Sequence, residues 1–166
     1  MKLVCKEQLF PRTFGYRVYD ENGDVAFVVK SRPTFGWLLD LYAVDGVRVA
    51  RLKERKLVWP SEFEMYVRDS RIGDRYLGYV TIEEAVMYPT YTISCNGWRI
   101  DIEPETRSYT IVDPAGKVVA FIEGAIFPLV KYTINVSDAE NVLPVVMFAL
   151  SVAIKRHQWR HRRRLY

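Results

Sequence analysis

Two histidines, two cysteines and a few paired carboxylates are the groups from which catalytic or metal chemistry would have to be built in this 166-residue chain. His157 and His161 stand four apart, a spacing that puts both on one face of a helix. Arginines surround them and no third ligand is near, so no metal site is expected there. The chain carries no histidine before His157, which removes His-based triads and Cys–His dyads from its body. Cys5 and Cys95 are far apart and lack CxxC spacing, and they read as isolated buried thiols. Glu83-Glu84 and Asp101/Glu103 are the carboxylate pairs. The second pair alternates with Trp98, Ile100 and Ile102, which places both acids on the solvated face of a strand, away from any cleft for acid–base work. No phosphate-binding glycine loop and no nucleophile elbow is present. The sequence nominates no catalytic residue, no metal ligand and no cofactor site.

Binding chemistry is better represented. Lys155, Arg156, Arg160, Arg162, Arg163 and Arg164 follow one another with no acid among them, and Trp159 lies inside the run. Removing those six from the 24 Lys and Arg leaves 18 against 20 Asp and Glu, so the net charge of +4 belongs to this segment. Clusters of four to eight basic residues bind anionic lipid headgroups, and tryptophan suits the membrane interface. Lys155, Arg156, Trp159, Arg160, Arg162, Arg163 and Arg164 are therefore the candidate anion- and lipid-binding residues. The same composition also fits nucleic-acid phosphates or an acidic protein surface, and a merely solvated terminus competes with all three. The aromatics elsewhere read as core and barrel rim. Only Trp159 and Tyr166 are interleaved with positive charge as a stacking platform for single strands requires.

The elements that position this segment begin with the run Val142–Ile154, in which Ser151 is the only side chain that forms hydrogen bonds. A helix apolar on every side must be surrounded by protein or by lipid. Spanning a bilayer takes about 17–25 apolar residues, so this shorter run predicts a helix sheathed by the rest of the chain and no transmembrane segment. Asn141 is the expected N-cap, because it leaves Pro144 within the first turn, where a missing N–H is harmless. From Lys2 to Val136 the pattern is β-alternation, plainest in Phe63–Arg68, Trp98–Glu103 and Tyr132–Val136. Hairpin turns are predicted at Asp20–Gly23, Asp45-Gly46, Asn96-Gly97 and Asp113–Gly116.

Repetition underlies the strands. Aromatic–Pro pairs recur at Phe10-Pro11, Trp59-Pro60, Tyr88-Pro89 and Phe127-Pro128, each soon followed by an alternating strand. The unit Tyr16–Gly23 returns as Tyr109–Gly116. Proline cannot donate to a sheet ladder, so these prolines belong at strand ends. The turn signals divide the chain into about twelve strands, and a barrel that wide leaves a lumen which a helix about 10–12 Å across fills. The expected architecture is mainly β: a closed antiparallel barrel of about twelve strands around a buried C-terminal hydrophobic α-helix. One domain covers residues 1–156, with the helix at about 141–156 and a basic tail at 157–166.

The strand pattern Tyr16–Gly23 with its Asp–Gly turn, the repeated hairpins and the segment Asp138–Ile154 resemble the LURP-one-related family. Its members share the Tubby C-terminal-like fold with phospholipid scramblases. The resemblance runs from Lys2–Phe10 to the apolar helix and implies a twelve-stranded barrel around that helix. It also implies a non-enzymatic binding or scaffolding role. Tubby-like members bind phosphoinositide headgroups through basic residues of the barrel, but none of those positions matches here residue by residue. The expected partner is an anionic lipid surface, with nucleic acid or an acidic protein as the alternative and an enzyme with a barrel-end pocket as the third reading. The opening Met1–Glu7 has no apolar export signal, so a cytoplasmic location, peripheral at the membrane, is expected.

Overall fold

Alternating apolar residues do form strands along most of the chain. The computed structural model describes residues 1–10, 13–34, 36–55, 59–85, 87–125 and 130–164, except for the side chains at 9–10, 13–14, 33–34 and 161–164. Its twelve strands are β1 (Lys2–Phe10), β2 (Thr13–Tyr19), β3 (Val25–Thr34), β4 (Gly36–Ala43), β5 (Arg48–Arg55) and β6 (Ser61–Asp69), then β7 (Gly73–Glu83), β8 (Thr90–Ser94), β9 (Arg99–Glu103), β10 (Ser108–Val112), β11 (Val118–Ala125) and β12 (Lys131–Val136). The strands form one antiparallel sheet in the order β8-β7-β6-β5-β4-β3-β2-β1-β12-β11-β10-β9. Pairing of β1 with β12, from Lys2↔Asn135 to Lys6↔Lys131, curls the sheet round. Strands β8 and β9, joined by the tight turn at Asn96-Gly97, are the two edges that meet without a ladder. The barrel is nearly closed, and β8/β9 is its seam.

Up-and-down order sorts the connections onto two ends. One end carries the tight hairpins. At Asp20–Asp24 the aspartate N–H donates to Asp24 O (2.8 Å), Gly23 N–H donates back to Asp20 O (3.1 Å), and Asp20 Oδ1 accepts from the amides of Asn22 and Asp24. Asp113–Lys117 repeats every one of these bonds, with Asp113 Oδ1 accepting from Ala115 and Lys117. Both copies follow a register shift, at Val18/Tyr19 and at Ile111/Val112. The sequence repeat is thus a repeated turn chemistry: a carboxylate replaces ladder acceptors that a sharp reversal leaves unmet. The longer connections fall at the opposite end. Pro60 stands immediately before β6 and Pro89 immediately before β8, as a residue without an N–H requires. Pro11, Phe127 and Pro128, which complete the other two aromatic–Pro pairs, lie outside the described residues.

Helix α1 (Val142–Arg164) threads the lumen, entered by a 3-10 turn at Ala139–Asn141. Asn141 immediately precedes the helix and Pro144 falls in its first turn, as the sequence predicts. The Ser137 hydroxyl, with one proton to share, lies 2.7 and 2.8 Å from the carbonyls of Val118 and Val119 on β11. Every residue from Val145 to Lys155 is buried, so the helix is enclosed on all sides. Ser151, the one polar side chain of the apolar run, donates to Phe148 O at 2.6 Å. The inward faces of the strands supply the sheath. Phe63, Met65 and Ile134 have no exposed surface, while Ile100 and Ile102 on β9 are partly buried against the core. Cys5 and Cys95 are free and buried. Burial, and then the charge of Glu7, pushes the Cys5 thiol up to about 12, so it is inert at neutral pH.

The helix does not stop near residue 156. It has 23 residues, about 35 Å at 1.5 Å per residue, and continues to Arg164. The basic stretch extends the central helix rather than forming a separate tail.

Candidate functional site

Helix α1 emerges at the barrel end that holds the aromatic–Pro connections, and barrel residues grip it as it leaves. Inward-facing acids sit at the rim: Glu7 on β1 and Glu54 on β5 are only 7% and 9% exposed. Arg160 Nη2 reaches Glu7 Oε2 at 3.3 Å, and His157 Nδ1 lies 3.4 Å from Glu7 Oε1. The His157 ring meets Trp37 edge-on at 5.9 Å. Gln158 donates to Glu54, whose same oxygen accepts from the Trp37 amide at 3.1 Å. The Trp159 indole N–H donates to Glu84 at 2.8 Å. These contacts join residues up to 153 positions apart, and each sets a basic or donor group of α1 against a barrel carboxylate. Basic residues also suit the negative end of the helix dipole.

The structure therefore divides the candidate residues. Lys155 is 3% exposed, with its ammonium 3.1 Å from Gln158 Oε1. Arg156, Trp159 and Arg160 are half-buried against the rim. Arg162, Arg163 and Arg164 occupy the last turn of α1 at the same end, and their side chains lie outside the description.

Arg156 differs from its neighbours. Nη2 donates to the Tyr109 hydroxyl at 2.8 Å, and the guanidinium lies 6.0 and 5.7 Å from the ring centres of Tyr109 and Tyr132. Gly124 makes room for it, since a Cβ there would stand 3.1 Å from both Arg156 Nη1 and the Tyr132 ring. Among the described residues no carboxylate is within ion-pair range of Arg156, and its buried Nη1 has no well-formed hydrogen bond. Tyr91 and Tyr132 supply no countercharge. Burial pushes their phenols well above the usual range, so both are neutral at physiological pH.

Beside Arg156 a cleft of about 430 Å³ opens where the seam reaches this end. Met87, Tyr88 and Pro89 of the β7–β8 connection, Pro104 and Arg107 of the β9–β10 turn, and Tyr91, Ile102 and Val130 line it. Arg107 is held at φ 55, in the left-handed region, and its carbonyl accepts the Gly124 N–H. Met87 is 79% and Tyr88 50% exposed, and Trp59 on the β5–β6 connection at the same end is 71% exposed. Sequence reasoning marked Tyr88-Pro89 and Trp59-Pro60 only as strand punctuation and did not single out Arg107, whose isolated place in a turn carries no signal.

The carboxylate pairs stand where alternation put them. Asp101 and Glu103 are exposed on β9, with Asp101 paired to Arg99. Glu84 anchors Trp159. No group of three or more His, Cys, Asp or Glu among the described residues is placed to hold a metal ion. Among the same residues no helix is long and apolar enough to cross a membrane.

A nearly closed antiparallel barrel threaded by its own C-terminal helix is the architecture expected of a Tubby-like protein. The model of the LURP-one-related family matches residues 1–155, and the chain belongs to that family. Its fold is similar to the X-ray structure of a protein from Arabidopsis thaliana, with a TM-score of 0.55 at 18% identity, covering 92% of this chain and 91% of that one. A comparison with curated protein sequences finds no match. The family match stops at Lys155, so the Arg156–Arg164 turns that build the barrel-end site lie beyond it.

Proposed function

We propose that this LURP-one-related chain is a non-catalytic binding protein that docks on anionic phospholipid surfaces, at the cytoplasmic face of a membrane, with the barrel end from which α1 emerges. Family membership supports a non-catalytic role. The observation that carries the docking is coincidence at one end: Arg107, Arg156, Arg160 and the last helical turn Arg162–Arg164 share it with the exposed Trp59, Met87 and Tyr88. Aromatic and apolar side chains enter the headgroup boundary while basic groups meet its negative potential, each contributing about 1 kcal/mol near the surface. Arg160 contributes less, because Glu7 already pairs with it. Nucleic acid and acidic protein are the competing partners for the same charge.

Substitution of Arg162, Arg163 and Arg164 together by glutamate tests the reading, since truncating the helix after Ile154 would also strip the rim acids of their partners. The intact chain is expected to sediment with anionic vesicles near physiological salt and to ignore neutral ones. The triple variant should lose at least roughly tenfold in vesicle affinity. Tighter binding to mixed-sequence DNA, with a steep salt slope, assigns the charge to nucleic acid instead. Failure of the intact chain to bind anionic vesicles overturns the proposal.

A further inference from the structure

We propose that the cleft at the β8/β9 seam binds single molecules of an amphipathic organic anion, one phosphate or carboxylate on an aliphatic or aromatic body. Arg156 is the reason for the anion. A guanidinium keeps its charge under all physiological conditions, and taking it out of water is costly unless an anion or a full set of acceptors replaces the water. Its basic neighbours along the helix have partners: Arg160 has Glu7, and Lys155 has Gln158. Arg156 has a phenol hydroxyl and aromatic faces, with no carboxylate in range among the described residues. Exposed Arg107 also lines the cleft, so a ligand there meets the positive charge of both arginines.

The cleft walls supply the reason for the body. The lining also includes Tyr88, Pro89, Tyr91, Ile102 and Val130, and the volume of about 430 Å³ lies within the range of small-molecule sites. Inorganic phosphate would satisfy the arginines and leave this apolar surface wet. An alkyl or aryl group covers it, at about 0.8 kcal/mol for each CH₂ buried. The seam explains why the cleft is here. Neighbouring strands elsewhere in the sheet are joined by a ladder, whereas β8 and β9 are not, and the cleft is lined from the β7–β8 connection and the β9–β10 turn. A lipid headgroup with its chain and a free alkyl phosphate present the same chemistry, and this site needs no membrane to operate.

The test is calorimetry on the full chain without vesicles, using monomeric octyl phosphate, octanoate, octanol and inorganic phosphate, followed by octyl phosphate in the presence of anionic vesicles. Octyl phosphate is expected to bind at least roughly tenfold tighter than inorganic phosphate or octanol. Competition by the vesicles would assign the site to lipid headgroups, and undiminished binding to a free amphiphile; both support the site. Arg156→Gln should weaken octyl phosphate about tenfold or more. Met87→Glu supplies an independent variant, because this exposed residue can be changed without disturbing the core, and a carboxylate at the mouth should repel the ligand by a similar factor. Equal affinity for inorganic phosphate and octyl phosphate would overturn the proposal, as would octanol binding as tightly as octyl phosphate. So would unchanged binding in Met87→Glu. Soluble-ligand binding that persists in the Arg162–Arg164 glutamate variant while vesicle binding is lost separates this site from the docking surface.

Discussion

A chain with aspartate in place of Phe148 is expected to yield no cooperatively folding barrel. Phe148 has no exposed surface and sits midway along the enclosed part of α1. Its ring meets Tyr91 at 6.2 Å and Tyr109 at 5.9 Å, both edge-on, so it ties the helix to strands on either side of the seam. Removing a buried phenylalanine costs about 3–5 kcal/mol from lost transfer energy and the cavity left behind. An aspartate adds the desolvation of a carboxylate set among buried aromatic rings. The total reaches the whole stability of an ordinary domain, about 5–15 kcal/mol. Urea unfolding followed by tryptophan fluorescence should show a cooperative transition for the native chain and none for Phe148→Asp. A cooperative transition in the variant would mean that the helix is not the core of the barrel.

Gly78→Ala is the second large effect, and it acts through the backbone. Gly78 on β7 has φ 146, a conformation that side-chain-bearing residues avoid, and a Cβ there would overlap the Ser94 carbonyl on β8. Neither partner can swing away, because both are main chain. Strand β8 is an edge held by the β7 ladder alone, so the strain has one outlet: release of β8. Tyr91 and Ile93, each 5% exposed, would then lose their cover, at about 1.5–3 kcal/mol apiece. The expected result is a fall of about 3 kcal/mol or more in unfolding free energy, with amide protection lost first at Thr90–Ser94. An unchanged midpoint and intact protection of β8 would contradict this account of the seam.

How far the sequence foretells this molecule depends on the kind of signal. Strands and hairpins were legible because alternation and Asp-x-x-Gly turns are local rules, and the same hydrogen bonds now recur at Asp20 and Asp113. The enclosed helix was legible from the lack of a polar face in Val142–Ile154. The site was read less well, for a physical reason. Lysine and arginine normally mark solvent, so Lys155–Arg164 read as a tail, yet its barrel partners sit 47 to 153 positions away. One clue was present. Glu7 follows Leu3 and Cys5 on the inward face of β1, and Glu54 follows Ala50 and Leu52 on that of β5. Acids placed inside a barrel require a basic partner, and among the described residues the element inside is the helix. Arg156's tyrosine cage and the cleft depend on where the seam falls, which no local pattern encodes.

The most direct test of the account is hydrogen–deuterium exchange of the full chain with and without anionic vesicles. Docking by the helix-exit end predicts protection of the β7–β8 connection around Met87 and Tyr88 and of the last turns of α1, with the hairpins at Asp20–Asp24 and Asp113–Lys117 unchanged. Protection of those hairpins would contradict it. So would protection confined to the outer sheet, where Lys131, Lys6 and Arg17 align across β12, β1 and β2.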